Sequence, residues 1–102
     1  MDVTQTTAFG SFEWDSCKNA SNICKHGLDF RDALCVFQDQ RAIIAYDDAH
    51  SGGEDRYRII GNIRGILVVL LVFTERRTVV RIISARKATR HEVKEYERNF
   101  PY

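Results

Sequence analysis

The chain reads as a single α+β domain, with two N-terminal helices and a C-terminal helix packed on a curved antiparallel β-sheet. Three observations predict it. Apolar residues recur at helical spacing up to Phe37, the period shortens to that of strands from Ala42 onward, and a capping box at Thr89 opens a last helix. At 102 residues the chain is long enough to bury one core and too short for two.

Residues 1–11 lack the basic start and apolar centre of a signal peptide and are expected to be a disordered leader, with the folded domain spanning 12–102. "FEW" (Phe12–Trp14) is a short extended stretch. Asp15 is placed to cap a helix that runs to about His26, with Gly27 just past its end. Cys17, Ala20, Ile23 and Cys24 would form its inner side. Asp29 opens a second helix, whose stripe Phe30, Ala33, Leu34 and Phe37 has the i, i+3, i+4, i+7 spacing of a buried face.

Four strands follow. "AIIAY" (Ala42–Tyr46) is the first, and an acidic, glycine-bearing loop (Asp47–Asp55) separates it from "RYRIIG" (Arg56–Gly61). The latter alternates, with Arg56, Arg58 and Ile60 on one side. "ILVVLLVF" (Ile66–Phe73) is apolar without interruption, so both of its faces should be covered and it should lie centrally. "TVVRIIS" is the last strand. Thr89 and Glu92 then form the capping box of a helix with Val93, Tyr96 and Phe100 inward.

The longest apolar run is eight residues, against the ~18 that a membrane span requires, and the chain is expected to be cytoplasmic. The three cysteines form no CxxC pair, and Cys17 and Cys24 would stand roughly 10.5 Å apart along a helix, too far for a disulfide. Reduced, mostly buried thiols, no metal and no cofactor are expected. The net charge of +1 conceals a division: residues 1–55 carry four Lys/Arg against ten Asp/Glu, and residues 56–102 carry eleven against four. A basic C-terminal half suits a polyanion, and an acidic N-terminal half suits a basic partner or the other half of the fold.

"FEWDSCKNASNICKHGLDF", "HSGGEDRYRIIG" and "FTERRTVVRIISARKATRHEVKEYE" resemble the BrnT toxins of bacterial type II toxin–antitoxin systems, from Phe12 to Glu97. The most specific part is "FTER" followed by "RIISAR.AT..E...Y". Ser16 stands where relatives often have proline, and the turn after "FTE" holds Arg76 and Arg77. The resemblance implies a RelE-like fold, an endoribonuclease that halts translation, and neutralisation by a BrnA-like ribbon-helix-helix antitoxin. It also implies a complex, expected to be two toxins with two antitoxins, that binds operator DNA and represses its own operon.

A metal-free ribonuclease needs fixed cations for the charge on phosphorus and groups that exchange protons with the 2′-OH and the leaving 5′-oxygen. Arg81, which interrupts an apolar strand, is the first choice for the cation, with Arg56 beside it. An ion pair to Glu75 or Glu54 is the structural alternative for Arg81. Ser84 and Arg86 share one face of an ideal strand while Arg81 falls on the other, so either the strand bulges or only part of the set meets RNA. Glu54, His26, Lys25 and His50 are the choices for proton transfer, with Glu54 a base and His26 an acid; a helix C-cap is the alternative for His26. Lys25, Arg86, Ser84, Lys87, Arg90 and Thr74 are expected to bind substrate. A non-catalytic, antitoxin-binding co-repressor module is the competing function, and growth arrest on expression of the chain alone separates the two.

Overall fold

The computed structural model describes residues 1–50 and 52–99, with His50 described by its backbone alone. Residues 1–15 form a hairpin in which β1 (Asp2–Thr7) pairs antiparallel with β2 (Gly10–Asp15), from Asp2↔Asp15 to Thr7↔Gly10. The stretch read as a disordered leader thus supplies an edge strand. Of its side chains only Val3 packs on the core, which is why its hydrophobicity carried no signal.

Asp15 caps α1 (Ser16–His26), its Oδ1 accepting from Cys17 N–H at 2.8 Å, and Gly27 ends the helix at φ 67°, a left-handed position suited to glycine. The inner face is not the expected one. Asn19 and Asn22, 6% and 5% exposed, point inward, whereas Cys17, Cys24 and Ile23 face solvent. The buried asparagines are retained because the backbone needs them: Asn19 Oδ1 accepts from Phe30 N–H at 3.0 Å, and Asn22 binds Leu28 and Ala85. The expected buried thiols are corrected with the face, since only Cys35 is even half-buried.

Asp29 caps α2 (Phe30–Ala33), and the chain then tightens into a 3-10 turn, Leu34–Gln38, rather than continuing one helix. The tighter winding brings Val36, three residues after Ala33, into the core beside Phe30, Ala33 and Leu34. After it come β3 (Ile43–Tyr46), a second 3-10 turn (Asp48–His50), β4 (Tyr57–Ile63), β5 (Leu67–Arg76), β6 (Val79–Lys87) and α3 (Arg90–Arg98).

The sheet has the order β1-β2-β6-β5-β4-β3. It is mixed rather than antiparallel: β2 runs parallel to β6, Ser11–Glu13 lying beside Val79–Arg81. The antiparallel meander β3–β6 is as expected, and β5 lies inside it with Val69 and Leu70 both buried. Leu67, Val68 and Val72 of the same run are half-buried, and Ile66 is 84% exposed in the turn before β5.

Helices cover both faces. Phe12, Trp14, Val69, Leu71, Phe73, Ile82 and Ala85 pack with Phe30, Leu34 and Val36 on the first face. On the second, Tyr96 of α3 closes over Ile60 and Leu70. Thr89 and Glu92 form the expected capping box; Val93 is half-buried, and Phe100, the last expected inward residue, lies outside the described residues. Because α3 reaches only part of the second face, the rest of that face is left open, with polar side chains around Val72.

Candidate polyanion-binding cleft

A bulge decides which cations meet. Val72 of β5 pairs with Ser84, but Phe73 pairs with Ile82, leaving Ile83 as an extra residue. Val80 and Ile82 pack on the core face before the bulge and Ala85 after it. The phase of β6 is therefore reversed, and Ser84 and Arg86 fall on the same face as Arg81. The position is held from α1: Asn22 Nδ2 donates to Ala85 C=O at 2.8 Å, and its Oδ1 accepts from Ala85 N–H at 3.1 Å. This amide does for β6 what β2 does only as far as Arg81.

On that face lies a cleft of about 630 Å³. Leu70 and Val72 are its apolar floor, Arg58, Ser84 and Arg86 rise from β4 and β6, and Arg56, Asp47 and Asp48 close it from the loop side. Arg86 is held bidentately by Glu92, Nη1 to Oε1 at 2.8 Å and Nη2 to Oε2 at 3.0 Å. That pairing pulls the Glu92 carboxyl down to about 2, aided by the Thr89 backbone N–H, and raises Arg86. Glu92 thereby fixes the guanidinium at the wall of the cleft. Arg58, exposed, makes no ion pair among the described residues.

The other expected site residues are distributed around this centre. Arg56 lines the cleft and has a partner within the fold. Arg81, its side chain 16% exposed, is gripped by Asp2 at 3.0 and 3.2 Å and lies 3.5 Å from Glu13, so the carboxylates that pair with it are neither Glu75 nor Glu54. Its hydrogen bond holds the Asp2 carboxyl below the usual range. Glu54 pairs with Arg76 at 2.8 Å, which lowers its pKa, with Arg56 and Arg81 adding to the field. Lys25 and His26 sit with Ser84 in an adjoining hollow of about 210 Å³. Lys87 and Arg90 are exposed on either side of the start of α3. Thr74, paired with Arg81 on this face, is buried, and its hydroxyl donates to Asp55 C=O at 2.6 Å, which tethers the loop. The side chain of His50 lies outside the described residues.

Arg58 is the residue that was not singled out for the site. The alternation Arg56-x-Arg58 put both on one side of the strand, but only the neighbouring strands show that this side is open. No group of three or more His, Cys, Asp or Glu side chains that could hold a metal ion gathers among the described residues, and no helix there is long and apolar enough to cross a membrane.

Fold and cleft together define a small α+β protein whose mixed sheet presents a cationic, hydroxyl-bearing cleft beside a covering helix. Residues 14–92 match the family described as ribonuclease toxin, BrnT, of type II toxin–antitoxin system, and the chain belongs to that family. It is also similar to the crystal structure of the Brucella abortus ribonuclease toxin BrnT. The TM-score is 0.61 at 30% identity, over 76% of this chain and 94% of that one. A search by sequence among curated proteins returned no match. Membership of a type II family implies an antitoxin partner. The matched segment contains the cleft but not β1, so Asp2, the partner of Arg81, stands outside it.

Proposed function

We propose that the protein is a metal-independent endoribonuclease, a RelE-like toxin that arrests translation by cutting RNA through 2′-OH attack. In this reading a BrnA-like ribbon-helix-helix antitoxin neutralises it, and a complex of two toxins and two antitoxins represses the operon. The observation that carries the nuclease reading is the convergence of Arg56, Arg58 and Arg86 with Ser84 on one cleft.

The chemistry follows from the donors left over. A guanidinium has five N–H donors. Arg86 commits three of them, two to Glu92 and one to Lys87 C=O, leaving two for a phosphate without any rearrangement. A cation fixed in advance costs nothing to reorganise as charge grows on phosphorus. Arg58 brings to the same volume a fork that makes no ion pair among the described residues. Glu54, kept ionised by Arg76, takes the 2′-OH proton; the 2′-oxygen bonds to phosphorus as the bond to the 5′-oxygen breaks. Lys25 or His26, in the adjoining hollow, gives a proton to that oxygen. The products are a 2′,3′-cyclic phosphate and a 5′-hydroxyl. Arg81 enters the scheme when a phosphate oxygen replaces Asp2 in its fork, since carboxylate and phosphate offer a guanidinium the same bidentate geometry.

Purified protein and a synthetic RNA test this, with and without EDTA. Cleavage should persist in EDTA and end in a cyclic phosphate, and Arg86→Ala should slow it about 100- to 1000-fold with the circular dichroism unchanged. Cleavage that stops with EDTA, or an Arg86→Ala protein that cuts at the wild-type rate, would remove the mechanism. A chain that neither cuts RNA nor arrests growth would be a co-repressor module.

A further inference from the structure

We propose that the open edge of β3 is the docking site of the antitoxin, which adds an extended segment to the sheet there. The inference rests on the toxin reading and names the surface through which it is regulated. Among the described residues β3 is the last strand of the sheet and pairs only with β4. Asp47 N–H donates to Arg56 C=O at 2.8 Å, so the backbone groups of Asp47 point towards β4. Backbone groups alternate in direction along an antiparallel strand, so those of Ala45 and Ile43 also point inward, and those of Ile44 and Tyr46 point out of the sheet. Each of these two residues offers one N–H and one C=O, room for four hydrogen bonds to a new strand.

Edges left open in this way are usually protected by a charge, a proline or a bulge. Ile43–Tyr46 has none of them. Ile44 and Tyr46 are also 59% and 45% exposed, and they share the sheet face of Ile59 and Tyr57. The opposite edge differs: β1 is Asp-Val-Thr-Gln-Thr-Thr, with polar side chains at every exposed position. The uncharged edge is the one that suits a partner.

The flanking charge indicates the partner's chemistry. β3 runs directly into Asp47 and Asp48, and Glu54 and Asp55 follow across the loop, with Asp55 accepting from Tyr46 Oη at 2.9 Å. An extended segment with alternate apolar residues against Ile44 and Tyr46, and a lysine or arginine at the end that reaches Asp48, complements this edge. Tyr46 ends β3, Asp47 and Asp48 follow it directly, and all three line the cleft. A strand added along β3 therefore carries its chain to the cleft mouth, and docking at the edge obstructs RNA at the site.

The test uses the chain co-expressed and purified with its antitoxin. Ile44→Pro removes an outward N–H that no partner among the described residues uses, leaving the β3–β4 ladder whole. Ile44→Lys adds the charge by which edges avoid pairing, at a side chain exposed enough to accept it. Each variant alone should cut RNA at the wild-type rate yet bind the antitoxin at least about tenfold more weakly, the equivalent of one or two lost hydrogen bonds. In the wild-type complex the amides of Ile44 and Tyr46 should become protected from hydrogen exchange. Unchanged exchange at both amides, or wild-type affinity in both variants, would overturn the proposal. So would an isolated chain that dimerises and that Ile44→Lys makes monomeric, because the edge would then belong to a second copy. A wild-type chain that cuts no RNA would refute the toxin reading, while the exchange measurement still decides the edge.

Discussion

Replacing Asn22 by alanine tests the joint between the helical layer and the cleft. Asn22 makes three hydrogen bonds, to Leu28 C=O at 2.8 Å, Ala85 C=O at 2.8 Å and Ala85 N–H at 3.1 Å. Truncation strands three backbone groups, and a buried group left without its partner costs about 1–3 kcal/mol. The hollow lined by Asn22, Ser84 and His26 admits water to some of them, so the total should fall near 2–4 kcal/mol. For a domain of this size each kcal/mol is about 4–8 °C, hence a drop in Tm of roughly 8–32 °C. Since such domains hold about 5–15 kcal/mol of stability, the variant should remain largely folded at room temperature. Urea melts followed by the fluorescence of Trp14, fully buried in the fold, measure the loss. With Ala85 released, Ser84 and Arg86 lose their register, so RNA cleavage should fall by more than the unfolded fraction accounts for. A loss below about 0.5 kcal/mol, the range of an ordinary surface substitution, would refute the reasoning.

Three further outcomes follow from the same geometry. The Glu92 carboxyl is depressed in the fold to about 2 from its ordinary 4.5, so the stability it contributes is complete above about pH 4.5 and disappears as pH falls towards 2. With Arg86 about a third exposed, the gap between wild type and Glu92→Gln should be about 1–2 kcal/mol at pH 6 and should shrink to about a quarter of that in acid melts at pH 2.5. Gly61→Ala places a Cβ 3.1 Å from Val36 Cβ and 3.3 Å from Ala42 Cβ, and urea melts should show a loss of about 1–3 kcal/mol as the 3-10 turn is pushed off the sheet. Arg58→Ala should weaken RNA binding at every sequence tested and reduce the slope of log K against log salt by about 0.7, as expected for one phosphate contact on a single strand.

Local chemistry was legible in the sequence wherever a residue acts on its own neighbours. The caps at Asp15, Asp29 and Thr89, the stop at Gly27 and the buried strand around Val69–Leu71 follow from side-chain type and spacing, because a cap or an apolar stripe needs only residues within a turn or two. Misreadings arose where a distant partner overrode the pattern. The inner face of α1 was assigned to Cys17 and Cys24 by apolarity, yet Asn19 and Asn22 occupy it because unpaired backbone on other elements had to be satisfied.

Membership of the BrnT family and the basic character of the last strand and helix were thus determined by sequence alone. The cleft was not. The bulge at Ile83, which turns Ser84 and Arg86 to the side of Arg81, depends on the pairing of β6 with β5 and on the amide of Asn22, 63 residues away from Ala85 along the chain. The pairing of Arg81 with Asp2 likewise spans 79 residues and exists only because β1 closes the sheet edge. Side-chain period is a local property, but register and face are set by what lies alongside, and those neighbours are chosen by the fold.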